Sequence, residues 1–568
     1  MMSRVPVLLA AAGCVCACSS KASRSDGTVP PPSGSGGAIS AGGGGGARAS
    51  GAGGDSDAAG GGGGQGGRTV DAPGGGDGAG GTVAPASEGN SVLERNKHPS
   101  RDGLYLQPTL TRTMAAKFVQ DPAFNATFSN KMHASPLYVE DGPSKKGVFV
   151  VGTTGNDVIA LDETSGVAVW THNIGPVATA TGVGCGNLNP RGIVGTPIID
   201  LGTRTIYAVG AMGPGATTRY EAHALSIDDG NERPGWPAII DGKISSGGLS
   251  FDPHPHNQRA ALSLVGGILY VPFGGHDGDC GSYHGWVVAI DTRNPTSIAA
   301  WATKGAGGAV WASGGMASDD SGVFATTGNG YGAGAMNLDS EAIVRVTGMA
   351  AVNRAGNADI FYPTEWKALD AGDDDLGATS PVLLNVAGAT PSRYVVAAAK
   401  NGHMYFVNAS MMGGMGGQLA ELTVASAGHS LRTALTSYAT AAGVHVALTV
   451  DKNAVCPGAA ADRVLMSVLV SPGAPIKPTT AWCLPIGGLE DTACGRTSAP
   501  MVTTTDGTSD TIVWIMSGAT LVGVDGDSGA MIYSGGNCGP PHHWTAPIAV
   551  KGRIVVGVDG RLCAWSAH

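Results

Sequence analysis

One short unit recurs along this chain: strands joined by a tight turn, then a turn that opens on aspartate and closes on glycine, then a strand bearing an aromatic residue. It is clearest between residues 148 and 174, in VFVVGTTGNDVIALDETSGVAVWTHNI. The carboxylate accepts hydrogen bonds from the turn amides, and glycine takes the positive φ angle that the turn requires. The residues that define the unit are Ala160, Asp162, Gly166 and Trp170, with Asp525 and Gly529 at the same spacing near the end of the chain.

Weaker copies of the unit predict the fold. A sheet of this size cannot bury both of its faces alone, so neighbouring units must stack, and closing the stack into a ring removes most exposed edges. We therefore predict an all-β fold, an eight-bladed β-propeller of four-stranded antiparallel blades. Seven blades are the alternative, which would need about 68 residues per blade instead of about 59. The eight units begin near Ser135, Gly195, Arg259, Trp311, Ser380, Thr433, Ser498 and Thr545.

The last unit has only three strands before the chain reaches His568. Its missing outer strand is predicted to come from the N-terminal side, between Ala115 and Met132. Pairing the two ends of the domain in this way would close the ring.

The N-terminal composition predicts an export signal. Residues 1–18 combine one arginine, a short apolar run and small residues with cysteines, and the run is too short for a stable membrane-spanning helix. We interpret it as a lipoprotein signal peptide with Cys18 as the acylated residue, Cys14 being the alternative; an ordinary secretory leader is the other interpretation. The protein is then expected to be exported and lipid-anchored to the bacterial outer membrane or cell surface, or to reside in the periplasm, with no other membrane contact.

Residues 19–95 are rich in Gly, Ala and Ser and have almost nothing to bury, so they are expected to form a disordered linker. A chain of that length spans roughly 45 Å as a flexible coil. The propeller is predicted to occupy residues 96–568. The net charge of −10 argues against nucleic acid as a partner, since nucleic-acid binding calls for a basic surface.

The unit at Ala160–Trp170 (ALDETSGVAVW) resembles the PQQ-like repeat of quinoprotein alcohol dehydrogenases and related propellers. The resemblance extends from Ser135 to Ser566, but later units depart from it: Pro295 replaces a turn glycine and Ser226 a turn aspartate. This superfamily includes dehydrogenases, a lipoprotein scaffold of outer-membrane protein assembly, and uncharacterised secreted propellers. The segment NQRAALSLVGGILYVPFGGHDGDCGSYHGWVVAID most resembles the last group, in its bacterial lipoprotein form.

The resemblance also indicates what a catalytic member would need. Quinoprotein dehydrogenases commonly carry an adjacent Cys-Cys disulfide over the quinone, a tryptophan beneath it, and a calcium ion held by Glu, Asn and Asp. This sequence contains no adjacent cysteine pair and no Cys-x-x-Cys-His haem motif. PQQ and calcium are therefore kept as cofactors only for the alternative that the protein is an enzyme.

Cysteines outside the leader are expected to pair, because the protein is predicted to be exported. Their number is odd, so at least one stays free or pairs with another molecule. Cys456 with Cys483, and Cys185 with Cys280, are candidate partners. The seven cysteines are Cys185, Cys280, Cys456, Cys483, Cys494, Cys538 and Cys563.

Three polar segments are candidate sites. The loop with His276, Asp277, Asp279 and His284 has the donors for a metal or ligand site, and a solvated, glycine-shaped hairpin is the alternative. Oxygen ligands suitable for calcium come from Asp373, Asp374 and Asp375, and an acidic surface turn is the alternative. The third segment is Asp252, His254 and His256, with His542 and His543 far away in the sequence; it is compatible with a site, and a rigid connector is the alternative. A further candidate is Trp311 with the glycine-rich loop Gly328 to Asn337, which can face the central channel or be simple turns.

The leading functional hypothesis is a monomeric, lipid-anchored propeller that acts as a binding or scaffold module for an envelope protein or a surface glycan. It rests on a stable predicted scaffold, a long tether and the lack of a recognisable catalytic motif. The competing hypothesis is a periplasmic PQQ- and calcium-dependent oxidoreductase acting on alcohols or sugars.

Overall fold

The computed structural model describes residues 89–179, 186–213, 218–331, 334, 336–426, 428–486, 497–542 and 545–567. The predicted leader with Cys14 and Cys18, most of the predicted linker, and Cys185 and Cys494 lie outside these residues. Within them, none of the helices has both the length and the apolar character needed to cross a membrane.

Eight antiparallel sheets, one for each predicted unit, form the blades of the ring. Blades 1 and 2 contain Leu137–Val139, Val148–Gly152, Asp157–Asp162 and Ala168–Asn173, then Ile198–Asp200, Thr205–Met212, Arg219–Ser226 and Ala238–Ile240. Blades 3 and 4 contain Ser263–Val265, Ile268–Gly275, Trp286–Asp291 and Ile298–Ala302, then Ala317–Asp319, Gly322–Thr326, Ile343–Thr347 and Ile360–Tyr362. Blades 5 and 6 contain Val382–Asn385, Arg393–Ala398, His403–Asn408 and Gln418–Thr423, then Thr436–Thr440, Gly443–Val450, Val464–Ser471 and Lys477–Pro485. Blade 7 contains Met501–Thr504, Ile512–Ser517, Thr520–Asp525 and Met531–Gly535.

Blade 8 joins the two ends of the domain. Its first three strands are Ile548–Val550, Arg553–Val558 and Arg561–Ala567, and its outer strand is Phe118–Gln120, which pairs antiparallel with the last of them. The N-terminal closing strand therefore lies inside the predicted segment. The eight-bladed all-β fold is confirmed, and each blade begins within six residues of its predicted start.

Short elements decorate the blades. A second N-terminal strand of two residues, Ala126–Thr127, also pairs with the last strand of blade 8. The remaining short strands are His256–Asn257, Gly414–Met415, Ser245–Ser246 with Leu249–Ser250, and Ala306–Gly307 with Gly330–Tyr331. Among the described residues, the helices are Arg112–Ala115 and Trp366–Gly372, with 3-10 turns at Pro143–Lys145, Ala355–Asn357 and Leu376–Ala378.

The apolar core lies between blades. One buried cluster combines Val396 and Phe406 of blade 5 with Val446 and Met466 of blade 6, and comparable clusters join the other neighbouring pairs. Each sheet therefore buries its faces against its neighbours, as the repeat predicted.

The residues of the repeat motif also form contacts between neighbouring blades. Asp162 accepts backbone hydrogen bonds from Thr164 and Ser165 at 3.1 and 2.8 Å, and Gly166 has a φ of +74°. Trp170 crosses to blade 2, where its indole Nε1 donates to Ile227 O at 3.0 Å and its ring lies against Gly230. A methyl group on that glycine would lie 2.6 Å from the ring, so only glycine leaves room for the tryptophan.

Two disulfides are formed among the described residues: Cys456–Cys483 and Cys538–Cys563. The first is the pair that the sequence indicated. Cys280 is also disulfide-bonded, and its partner lies outside the described residues, so the pairing with Cys185 stays a prediction.

The described chain begins with a segment that touches all eight blades, which we call the N-terminal strap (Asn90–Gln107). Composition placed its first residues in the linker, but Val92 is fully buried and bridges Tyr138 of blade 1. Further on, Leu104–Leu106 pairs in parallel with the first strand of blade 7. Backbone N–H groups of blades 2, 4, 5 and 6 donate to strap carbonyls: Ile199 to Leu93, Ser318 to Pro99, Leu383 to Ser100 and Ser437 to Asp102. On blade 8, the Gly552 N–H donates to the Gln107 side chain.

Arg101 is the buried centre of the strap. Its guanidinium donates to Leu262 O and Ser263 Oγ of blade 3 and to Met316 O at the start of blade 4, each at 2.8 Å. The carboxylate of Glu94 lies 2.9 Å away and balances the charge. One side chain thus ties two blades to the strap with charge-assisted hydrogen bonds, which are the stronger kind.

Removing residues 1–134 should unfold the whole ring, because it deletes both the strap and the closing strand of blade 8. A chain lacking only residues 1–88 should unfold at the same urea concentration as the full chain, since these residues precede the strap. Circular dichroism during urea unfolding measures both. A folded, cooperative propeller after the longer deletion would show that ring closure does not depend on these residues.

Candidate functional site

Two kinds of loop lie on the same face of the ring: the connections that lead into each innermost strand, and the turns that join the second strand of a blade to the third. They share a face because successive strands alternate in direction. On this face Trp311, half-buried, precedes blade 4, with the Arg259 guanidinium 4.6 Å and Lys400 Nζ 5.6 Å from its ring centroid. Both distances are within cation–π range. We call Arg259, Trp311, Asn329, Asp375 and Lys400 the mouth cluster.

Asp375 links two members of the mouth cluster, Asn329 and Lys400. Its carboxylate accepts the Asn329 backbone N–H at 2.8 Å and forms an ion pair with Lys400 Nζ at 2.6 Å. Burial alone would lower the pKa of the Lys400 ammonium, but Asp375 and Asp373 outweigh burial and raise it. Lys400 therefore stays charged beside the tryptophan.

Beneath the mouth cluster, Glu341 is fully buried. Its Oε2 accepts the Leu376 N–H at 2.5 Å, while its Oε1 has no partner within the described structure. Burial, and then the neighbouring Asp375, raise the pKa of the Glu341 carboxyl well above its ordinary value, which favours the protonated form. Its φ of +47° is unfavourable for a residue other than glycine, and such strain is concentrated at functional sites.

The candidate loop of blade 3 does not bring its four side chains together. His276 is buried and contacts Arg191 at 2.6 Å; burial, and then Arg191, lower its pKa to about 3. His284 bonds instead to Thr303 O at 3.0 Å. Asp277 and Asp279 are exposed, and the Asp279 carboxylate accepts the Tyr283 hydroxyl at 2.7 Å. The loop thus serves as a hydrogen-bonded wall beside the mouth.

The three candidate calcium residues also have separate partners. Asp373 ends the helix Trp366–Gly372 in a left-handed conformation and pairs with Lys400 at 2.9 Å. Asp374 accepts the His429 N–H at 2.9 Å. Two of the three carboxylates therefore neutralise one lysine.

Sequence reasoning missed Arg259, Lys400 and Glu341 as site residues. No motif marks them, because the mouth is assembled from blades 3, 4 and 5 over 142 residues of sequence. Only Trp311, Asn329 and Asp375 lay in segments that the sequence had already indicated.

A second concavity, of about 510 Å³, lies beside the strap on the opposite face. Pro99 and Ser100 of the strap border it, with Leu264, Leu383 and Asp319 from blades 3 to 5. Its mixed lining and size are within the ordinary range of ligand pockets.

Solved structures share this architecture. The quinohemoprotein alcohol dehydrogenase from Comamonas testosteroni is similar with a TM-score of 0.61 and 13% identity, over 84% of this chain and 80% of that chain. This similarity shows a shared propeller fold. The alcohol dehydrogenase ADHIIG from Pseudomonas putida HK5 gives a TM-score of 0.61 at 14% identity, over 84% and 80%. A europium-containing methanol dehydrogenase gives 0.58 at 13%, over 84% and 91%.

At these identities the similarity is one of fold. No protein-family model and no curated protein matches the sequence.

The buried carboxyl predicts a pH-dependent stability. Folded Glu341 keeps its proton above the pH at which the unfolded chain loses it, so the free energy of unfolding falls as pH rises through that window. Glu341→Gln cannot ionise, so its stability relative to the natural protein should rise with pH above about 5, by up to about 1.4 kcal/mol per pH unit. Urea unfolding at each pH measures this difference, with Asp320→Asn, an exposed position, as the control. A difference that does not change with pH would show that Glu341 ionises normally.

Proposed function

We propose that this protein is an exported, lipid-tethered propeller whose mouth cluster binds a surface glycan. The tether is the one that the leader and linker predict, and the mass of the mature N terminus would test acylation at Cys18. The observation that supports glycan binding is the partly exposed aromatic surface of Trp311 and Tyr331 set among paired polar groups. Tyr331 is 42% exposed.

Sugars present flat C–H faces and rings of hydroxyl groups, so their binding sites combine aromatic faces with planar hydrogen-bonding groups. Both are present here. The Tyr331 hydroxyl lies 3.4 Å from the Tyr283 hydroxyl and 3.4 Å from the side-chain amide nitrogen of Asn329. Trp311 lies beside Asp375. Aromatic side chains that are apolar on their faces and polar at their edges suit such a ligand.

The charges of the mouth are balanced, because Lys400 is paired with Asp373 and Asp375. This arrangement favours a hydroxyl-rich ligand over a strongly charged one, since a highly charged ligand would have to break an ion pair.

Trp311→Ala should weaken binding of the propeller to immobilised bacterial surface polysaccharide by roughly 10-fold or more, since loss of one anchoring aromatic at a binding site typically costs 1.4 kcal/mol or more. Trp236→Ala, a tryptophan of similar burial between the third and fourth strands of blade 2, is the matched control and should bind normally. Surface plasmon resonance with a panel of neutral and acidic polysaccharides is the measurement.

Two results would contradict glycan binding at the mouth. One is a panel in which no polysaccharide binds. The other is equal weakening by Trp311→Ala and Trp236→Ala. Cross-linking of an envelope protein at the concavity beside the strap would instead favour the protein-binding form of the scaffold hypothesis.

A quinone-dependent oxidoreductase is the second candidate, favoured by one observation. A tryptophan ring flanked by Arg259 and Lys400 fits a flat anionic cofactor such as PQQ, and dehydrogenases are among the structural neighbours. Calcium does not fit as well. The Asp375 carboxylate already holds Lys400 and an amide, and the group of three converging metal-type ligands found in the described part of the chain lies elsewhere.

Addition of PQQ and calcium to the purified protein separates the two candidates. For a glycan-binding propeller we expect no bound-quinone absorbance and no reduction of a dye by alcohols or sugars. Stoichiometric quinone binding with dye reduction that Lys400→Ala abolishes would establish the oxidoreductase.

A further inference from the structure

Away from the mouth, three side chains converge at the junction of blades 4 and 5. Glu365 follows the outer strand of blade 4, and His403 and Glu421 lie on the third and fourth strands of blade 5. One ligand atom from each of the three lies within 4.8 Å of the other two. We propose that they bind a zinc-type divalent cation.

The distances suit one ion. His403 Nδ1 lies 2.6 Å from Glu421 Oε1 and 3.7 Å from Glu365 Oε1. Ligand atoms about 2.0–2.2 Å from a tetrahedral zinc are roughly 3.4 Å apart, which falls between these two separations. Small side-chain rotations would therefore bring all three atoms onto the metal.

Hydrogen bonding to His403 Nδ1 cannot satisfy both glutamates. Nδ1 of an imidazole carries at most one proton, so it can bond well to one carboxylate, and the short contact to Glu421 takes that proton. A divalent cation would satisfy the nitrogen and both carboxylates together.

The glutamates are already held in place. The Tyr405 hydroxyl donates to Glu365 Oε1, and Thr364 Oγ1 donates to its Oε2 at 3.1 Å. The Gln418 amide donates to Glu421 Oε2 at 3.2 Å. Supporting hydrogen bonds of this kind orient metal ligands.

The donor set indicates the type of metal. One imidazole nitrogen with two carboxylates suits zinc. The three side chains are about one-third exposed, at 29%, 33% and 34%, so a water molecule can complete the coordination. The bound ion would join the segment between blades 4 and 5 to the outer half of blade 5.

Zinc titration of the untagged protein after dialysis against EDTA tests this site. Isothermal calorimetry should show one zinc per chain, and His403→Gln should weaken binding by roughly 100-fold or more. Cobalt in place of zinc should give the visible absorption of a tetrahedral site, which His403→Gln should abolish.

His223→Gln is the matched control. His223 also contacts two glutamates, but through different ring nitrogens: Nδ1 to Glu232 at 2.5 Å and Nε2 to Glu221 at 3.3 Å. These carboxylates cannot share one ion with a single nitrogen, so the control should bind zinc normally, with thermal unfolding used to confirm that both variants fold. Absence of stoichiometric zinc binding, or equal effects of the two substitutions, would overturn the proposal.

Discussion

The structure depends on how the innermost strands satisfy their free edges. In a propeller these strands face the central channel, and each leaves unpaired backbone groups there, which are costly when buried away from water. The N-terminal strap meets that requirement by supplying carbonyls to Ile199, Ser318, Leu383 and Ser437 in turn. A segment without regular secondary structure along most of its length thus holds the ring together from inside, while the closing strand Phe118–Gln120 fastens it at the rim.

Packing between blades complements this internal tie. The apolar clusters are shared by neighbours, so no blade is expected to be stable alone, and stability should be cooperative around the ring. The pairing of Trp170 with Gly230 shows how the repeat encodes the boundary: the large ring of one blade fits the turn glycine of the next. Trp482 of blade 6 and Gly529 of blade 7 repeat the contact. The turn glycine therefore has two functions, a positive φ and space for a tryptophan.

This explains what the sequence predicts well. The period of the repeat favours eight blades over seven, and the missing strand of the last unit indicates an N-terminal replacement, because both follow from local strand and turn patterns. The strap leaves no such pattern. It contacts most blades through only a few hydrogen bonds, some of them made by side chains. Its first residues adjoin a glycine-rich stretch, so composition assigned Gly89–Arg95 to the linker. The burial of Val92 and Arg95 shows that they belong to the propeller.

The mouth cluster was less predictable for a related reason. Acidic and histidine-rich segments attract attention in a sequence, yet Asp373 and Asp374 are occupied by Lys400 and a backbone amide, and His276 by Arg191. The residues with unusual physics are single ones: Glu341, buried with a raised pKa and a strained backbone, and Trp311, between two cations. Their neighbours arrive from other blades only when the ring closes. In a propeller, the residues that define the fold lie in local, periodic patterns, whereas the residues of a site come from several blades. The fold can therefore be predicted from the sequence, but the site becomes visible only in the folded structure.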